Sequence, residues 1–121
     1  MTDYYRIPSL ENVYLEDSFL LDVEETNRNI IMRVEIVLTE NHALYEKPLP
    51  DEAYCYRNAK LTFSDFEKSV CLEKKFVPFT DASGEVDYGN IDFLHLSNGV
   101  FEIGGDCGHL RIFGGKVALD F

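Results

Sequence analysis

The sequence feature that most constrains the fold is an alternation of apolar and polar residues with a period of two. It is clearest from Ile30 to Leu38, where five apolar side chains share one face and Arg33 and Glu35 lie on the other. Successive side chains of a strand point to opposite faces, so this run predicts a strand with one buried face. The run Phe19–Glu25 also alternates, and residues 26–29 form a polar turn, so the two runs predict an antiparallel hairpin. The apolar residues of the first run, expected on one face, are Phe19, Leu21 and Val23.

Short alternating runs recur along the chain, and no segment has a clear helical period. Prolines and turn residues predict two long surface connections, at 39–52 and 74–88. Gly104–Gly108 is expected to reverse the chain, and Gly114-Gly115 has the form of a hairpin turn. The pattern predicts an all-β fold, either an antiparallel β-sandwich or a partly open barrel, with a C-terminal meander. The other predicted strands are 53–63, 69–72, 91–96, 100–103, 110–113 and 117–121.

Length and composition predict one β domain over residues 1–121. A chain of 121 residues is close to the commonest domain size and can bury a core without disulfides or a structural metal. The three cysteines are widely spaced, with no CxxC pair, and the first residues lack the pattern of a secretory signal. We therefore expect a cytoplasmic protein with free thiols.

Negative charge is the strongest departure from average composition. The chain has 22 acidic and 11 basic residues, a formal net charge of -11. Such a field repels phosphate backbones and anionic lipid, so we expect neither nucleic acid nor a membrane as partner. It favours capture of a basic protein, although acidity can also serve solubility alone. Up to Glu25 there are seven acids and one base, so this segment holds more than half of the net charge. The residues predicted to bind a partner are Tyr14, Glu16, Asp17, Asp22, Glu24 and Glu25.

No catalytic residue, metal ligand or cofactor site is predicted, because no sequence motif for one occurs. His42, His95 and His109 are far apart in the chain, and His95 is expected to face outward from a strand or to meet a backbone partner. Cys107 and His109 would share a strand face as a thiolate–imidazole pair or half a metal site, but two ligands do not make a metal site. A hydrolase using Asp87, Asp92 and Asp106 stays an alternative to a non-enzymatic protein.

The stretch from Asp81 to Asp92 is rich in oxygen ligands that suit calcium. Its glycine at position 84 is the fourth residue, whereas the EF-hand loop needs glycine at the sixth, and the glutamate that ends such a loop is missing. Asp and Asn also satisfy the backbone of ordinary turns. We therefore predict a turn, and no effect of Ca²⁺ on the melting temperature.

Three stretches, Tyr14–Val23, Asp87–Asp92 and Gly104–Ile112, resemble a group of small bacterial proteins. In related groups, similar short acidic domains are proposed to act as immunity proteins that neutralise a toxin of a polymorphic toxin system. The resemblance implies a bacterial all-β protein, and it carries no catalytic residue to this chain.

Two functions follow as hypotheses. The first is a non-enzymatic acidic domain that binds a basic protein; its concrete form is an immunity-type protein that neutralises this partner. The second is a module for a small ligand or a carbohydrate, lined by tyrosines, whose phenols suit such faces. The oligomeric state stays open, since an exposed edge strand can pair with a second copy. The tyrosines are Tyr4, Tyr5, Tyr14, Tyr45, Tyr54, Tyr56 and Tyr88.

Overall fold

The structure is a computed structural model that describes residues 2–51, 54–74, 79–80, 86–87, 89–106 and 108–121. Within these residues the chain forms eleven strands and a three-residue 3-10 helix at Tyr4–Arg6. The strands are β1 (Thr2–Asp3), β2 (Val13–Glu25), β3 (Asn29–Leu38), β4 (Cys55–Ser64), β5 (Lys68–Lys74), β6 (Phe79–Thr80), β7 (Val86–Asp87), β8 (Ile91–Ser97), β9 (Val100–Gly105), β10 (Gly108–Phe113) and β11 (Lys116–Asp120).

Two antiparallel sheets pack against each other. The first sheet has the strand order β1-β8-β9-β10-β5, and the second has the order β11-β4-β3-β2. Strands β6 and β7 pair with each other alone. The predicted all-β sandwich is therefore confirmed, and so is the hairpin of β2 and β3.

The core lies between the sheets and is supplied by the alternating residues that the sequence predicts. On β3, the side chains of Ile30 to Leu38 alternate between a buried inner face and an outer face. Each large apolar side chain buried in this way contributes about 1.5–3 kcal/mol. Among the most deeply buried residues of both sheets are Ile30, Val34, Ile36, Leu61, Phe63, Leu94 and Ile112.

Strand β2 differs from its prediction in length and in facing. It begins at Val13, and an extra residue between Leu20 and Asp22 shifts its register against β3. Leu20 is therefore the buried residue, at 1% exposure. Phe19 lies opposite Glu35 and packs its ring on Tyr56, with the ring centroids 6.2 Å apart. The prediction that Phe19 shares a face with Leu21 and Val23 was wrong, because a bulge interrupts the period of two.

The C-terminal meander is confirmed for β8, β9 and β10, but the hairpin predicted at Gly114-Gly115 is wrong. Strand β10 pairs with β9 and β5, whereas β11 pairs with β4 in the other sheet. Both glycines have a positive φ, and a Cβ on Gly115 would lie 2.3 Å from the carbonyl oxygen of Ser64. This turn is therefore a corner that carries the chain from one sheet to the other.

The predictions for the two long connections have different outcomes. Residues 39–51 contain no strand, as predicted. The connection 74–88 holds the short strands β6 and β7, and most of its remaining residues lie outside the described part. No helix in the described ranges has the length and apolar character that a membrane span requires.

Candidate functional site

The first half of β2 is irregular, and a buried serine fixes its shape. Tyr14 pairs with Val37 and Phe19 with Glu35, so β2 carries extra residues between these two pairs. Ser18 lies in this bulge with no exposed surface. Its hydroxyl donates to the carbonyl of Tyr14 at 2.7 Å and accepts from the N–H of Val37 at 3.0 Å. The serine hydroxyl thus takes the place of a backbone partner for the N–H of Val37. This holds the bulge, and with it the neighbouring acidic residues, in one arrangement.

Tyr4 anchors the next part of the strand. It is 5% exposed, and its hydroxyl donates to the carboxylate of Glu16 at 2.5 Å. The same hydroxyl accepts from the N–H of Leu15 at 3.2 Å. Burial raises the pKa of Tyr4 well above its usual value, and the bond to Glu16 raises it further. Glu16 is therefore a fixed acceptor whose donor is a neutral phenol.

A second phenol meets the next carboxylate. The negative charge of Asp17 raises the pKa of Tyr54, and a hydrogen bond from the phenol to Asp17 adds to this effect. Tyr54 packs edge-on against Tyr56, with the ring centroids 6.0 Å apart. Tyr14, at 42% exposure, lies near enough to Tyr4 and Tyr54 that its phenol contributes to the raised pKa of both.

These groups form one continuous outer surface at one end of the second sheet. Tyr14 and Tyr56 are cross-strand neighbours of Val37 on either side of β3, which places their rings on the same face. In the described part of the chain, no Lys, Arg or His forms an ion pair with Glu16 or Asp17. The tyrosine–carboxylate surface is defined as Tyr4, Tyr14, Tyr54, Tyr56, Glu16 and Asp17.

The other three predicted carboxylates lie apart from this surface. Tyr14 lies opposite Val37 and Glu25 opposite Ile30, seven residues apart along β3, which corresponds to roughly 23 Å. Asp22 lies opposite Arg33, and Glu24 lies opposite Ile31. Glu25 accepts a hydrogen bond from the hydroxyl of Ser69 at 3.3 Å. The six predicted residues therefore share a strand but divide into two groups.

A second cluster of polar groups, on the outer face of the first sheet, was missed by the sequence analysis. Glu102 lies between two histidines, with Oε1 2.5 Å from Nε2 of His109 and Oε2 3.3 Å from Nε2 of His95. Nε of Arg111 lies 3.6 Å from Oε1 of the same carboxylate. Burial acts to raise the pKa of Glu102, but the histidine hydrogen bonds and the Arg111 charge outweigh it, so that the pKa is lowered. The histidine–carboxylate cluster is defined as His95, Glu102, His109 and Arg111.

An aromatic ring supports both histidines of this cluster. Phe93 stacks on His95 with centroids 5.5 Å apart and meets His109 edge-on at 5.1 Å. A Cβ on Gly104 would lie 2.6 Å from the Phe93 ring, so glycine leaves room for it. Phe93 thus packs on both histidines that contact Glu102, and His109 also lines a small cleft with Gly104 and Leu110.

The register of β8, β9 and β10 brings the members of this cluster together, and the sequence of the β8–β9 turn could have indicated that register. Asn98-Gly99 is a two-residue turn with positive φ at both residues, which fixes Ser97 opposite Val100. Counting back from that pair puts His95 opposite Glu102, and β10 then puts Arg111 opposite Glu102. The spacing of the histidines along the chain does not predict that both contact Glu102.

The remaining candidate groups make separate contacts among the described residues, and the side chain of Asp87 lies outside them. His42 accepts from the N–H of Leu44 and packs on Phe121, far from the cluster in the sequence. Asp106 accepts from the N–H of Asn90 at 3.0 Å, and Asp92 is exposed. No group of three or more His, Cys, Asp or Glu side chains among the described residues is arranged to hold a metal ion.

Two of the sequence hypotheses fall largely outside the described residues. Cys107, the partner proposed for His109, is one of the residues not described. In the stretch proposed and rejected for calcium, residues 81–85 and 88 are also not described. The absence of a calcium effect stays a prediction. Cys55 and Cys71 are free thiols, the first buried and the second exposed.

Comparison of the chain with protein-family models, with curated proteins and with solved structures found no match. The functional argument therefore depends on the geometry of the two clusters.

Proposed function

We propose that this protein is a non-enzymatic, cytoplasmic binding protein that engages a basic protein through the tyrosine–carboxylate surface. The observation that carries the proposal is the joint placement, at the Tyr14 end of β2, of exposed phenols and of carboxylates that form no ion pair with another described residue. Tyr14 and Tyr54 are 42% and 41% exposed, a large aromatic area for an acidic surface. Tyrosine is enriched in the energetic centres of protein interfaces, and negative charge steers a basic partner toward them.

The concrete form of the proposal is neutralisation of a basic toxin by occlusion, which is what the resemblance to immunity-type proteins implies. Such a role needs affinity and coverage of the partner rather than chemistry. The net charge of -11 supports fast association with a cation-rich surface. The hydrogen bond from Tyr4 holds Glu16 in place before the partner arrives, which lowers the entropy lost on binding.

The test is affinity capture of the tagged protein from its native lysate at low salt, followed by a salt gradient. We expect one stoichiometric basic protein that salt releases. The double substitution Glu16→Gln with Asp17→Asn keeps hydrogen-bonding side chains but removes two charges, and it should weaken capture and slow association with the purified partner.

The matched control is Asp22→Asn with Glu24→Gln, which removes the same charge from the far half of the same strand. Capture should survive this change nearly intact. Equal loss with both double variants would show that net charge alone acts, and equal retention with both would contradict the proposal.

A small-ligand or carbohydrate module is the second candidate, and the clefts beside Tyr14 favour it. One measures about 570 Å³ and the other about 350 Å³, within the range of small-molecule sites. A neutral sugar would bind with little dependence on salt, whereas a basic protein would not. A salt-independent upward shift in melting temperature with a sugar would favour this candidate over the first.

A further inference from the structure

The two clefts of the tyrosine–carboxylate surface lie on either side of one side chain. The larger cleft is lined by Tyr4, Tyr5, Glu11 and Glu16, and the smaller one by Tyr45, Tyr54 and Glu40. Tyr14 and Thr39 line both. Tyr14 is therefore a ridge between two adjoining depressions.

The two linings have the same chemistry. Each combines phenol rings with carboxylate, and neither contains Lys, Arg or His among the described residues. Tyr5 and Tyr14 are exposed on the larger cleft, and Tyr14 and Tyr54 on the smaller. A ring face attracts a cation, and a carboxylate beside it supplies the counter-charge.

We infer that the two clefts take two arginine side chains from one extended segment of the partner, one on each side of Tyr14. The inference rests on the proposed function and names the chemistry of its site. Arginine fits better than lysine because its planar guanidinium stacks on a ring and bonds a carboxylate at its edge. In an extended segment, side chains at positions i and i+2 point the same way, which lets both reach one surface.

Three short capped peptides can test this directly. The first, Gly-Arg-Ser-Arg-Gly, has two arginines, and the second, Gly-Arg-Ser-Gly-Gly, has one. The third is the first peptide with citrulline in place of both arginines. Citrulline keeps the shape and loses the charge. Binding is followed by amide chemical shifts, with tyrosine emission as a second readout, since the chain has no tryptophan. We expect the two-arginine peptide to bind about tenfold more tightly than the one-arginine peptide. Shifts should appear on both sides of Tyr14, and the citrulline peptide should not bind.

Substitutions then assign one arginine to each cleft. Glu11→Gln and Glu40→Gln each remove an exposed carboxylate from one cleft, and each should weaken the two-arginine peptide about two- to fivefold. Glu24→Gln, at the far end of β2, is the matched control and should change nothing. Tyr14→Phe should keep affinity, and Tyr14→Ala should lose it.

Equal affinity for one and two arginines, shifts in one cleft only, or no saturable binding would each overturn the inference. The proposed function has a separate readout. If the captured partner still depends on Glu16 and Asp17 while the peptides fail, the surface binds a basic protein by other contacts. If the partner is also indifferent to those carboxylates, both proposals fail.

Discussion

The two outer faces of the sandwich use carboxylates in opposite ways. Glu102, on the first sheet, is surrounded by two histidines and Arg111, so that its charge is matched within the molecule. On the second sheet, Glu16 accepts a hydrogen bond from Tyr4, and Asp17 lies close enough to Tyr54 to raise the pKa of its phenol. Neither carboxylate forms an ion pair with another described residue. A carboxylate whose charge is matched stabilises the fold, whereas a fixed and unmatched one can attract a partner.

The strands that carry these two clusters also differ in the regularity of their pairing. The histidine–carboxylate cluster lies where residues 93–97 of β8 and strand β10 pair with β9 without a register shift, although β10 shifts against β5 between His109 and Leu110. The tyrosine–carboxylate surface depends on the bulge in β2, which is held by one buried hydroxyl. Bulges often re-aim side chains next to functional sites.

Ser18→Ala should produce the largest effect, because it removes the hydroxyl that satisfies the bulge. The N–H of Val37 would lose its partner in the interior, and we expect a loss of about 2 kcal/mol in the free energy of unfolding. Urea unfolding measures the loss, and amide shifts should change at Tyr14 to Asp17 but not at His95 or His109. Ser69→Ala is the control: its hydroxyl is half-buried and donates to the exposed carboxylate of Glu25, so its loss should cost under about 0.5 kcal/mol. Equal perturbation of both clusters would remove the distinction drawn between them.

The regular parts of this fold could be predicted from the sequence, and the irregular parts could not. Alternation from Ile30 to Leu38 specifies β3, because one face must be buried for each such run to be stable. No such rule predicts the bulge, because in the sequence Ser18 is one more polar residue in an alternating run. The corner at Gly114-Gly115 has the same composition as a hairpin turn, and only the strand partners of β10 and β11 distinguish the two.

The candidate site was predictable only in part, for a related reason. Tyr14, Glu16 and Asp17 are neighbours in the chain, and charge counting singles them out. Tyr4 and Tyr54 reach them from distant segments, which a sequence without its register does not reveal. Asp22, Glu24 and Glu25 belong to the same acidic run, yet the length of β2 carries them away from the phenols.

Glu102→Gln should have the next largest effect and should depend on pH. The lowered pKa of Glu102 means that its charged form is stabilised in the fold, so it adds stability above its ordinary pKa of 4.5. That contribution is lost as the pH falls below 4.5 through the folded pKa. We expect the variant to be about 1–2 kcal/mol less stable at neutral pH, with the difference shrinking in acid.

Urea unfolding of both proteins from pH 7 to pH 3 measures this difference. Glu24→Gln, exposed on the far half of β2, should give no comparable difference at any pH. A Glu102→Gln variant as stable as the parent at pH 7 would mean that the histidines do not hold the carboxylate, and the contrast between the two faces would be lost.

Tyr54→Phe should have the smallest effect on stability and the most specific effect on titration. Tyr54 is 41% exposed, so loss of its hydroxyl should leave the free energy of unfolding nearly unchanged. The charge of Asp17 raises the pKa of this phenol, and the pKa values of Tyr4 and Tyr5 are raised as well, so ultraviolet titration should show several tyrosines that ionise late. Tyr54→Phe should remove one of them. Asp17→Asn should return that pKa toward its usual value, because the neutral amide no longer opposes a phenolate. If Asp17→Asn leaves the pKa of Tyr54 unchanged, the carboxylate is not held beside the ring. The second sheet would then lack the fixed negative charge on which its proposed role depends.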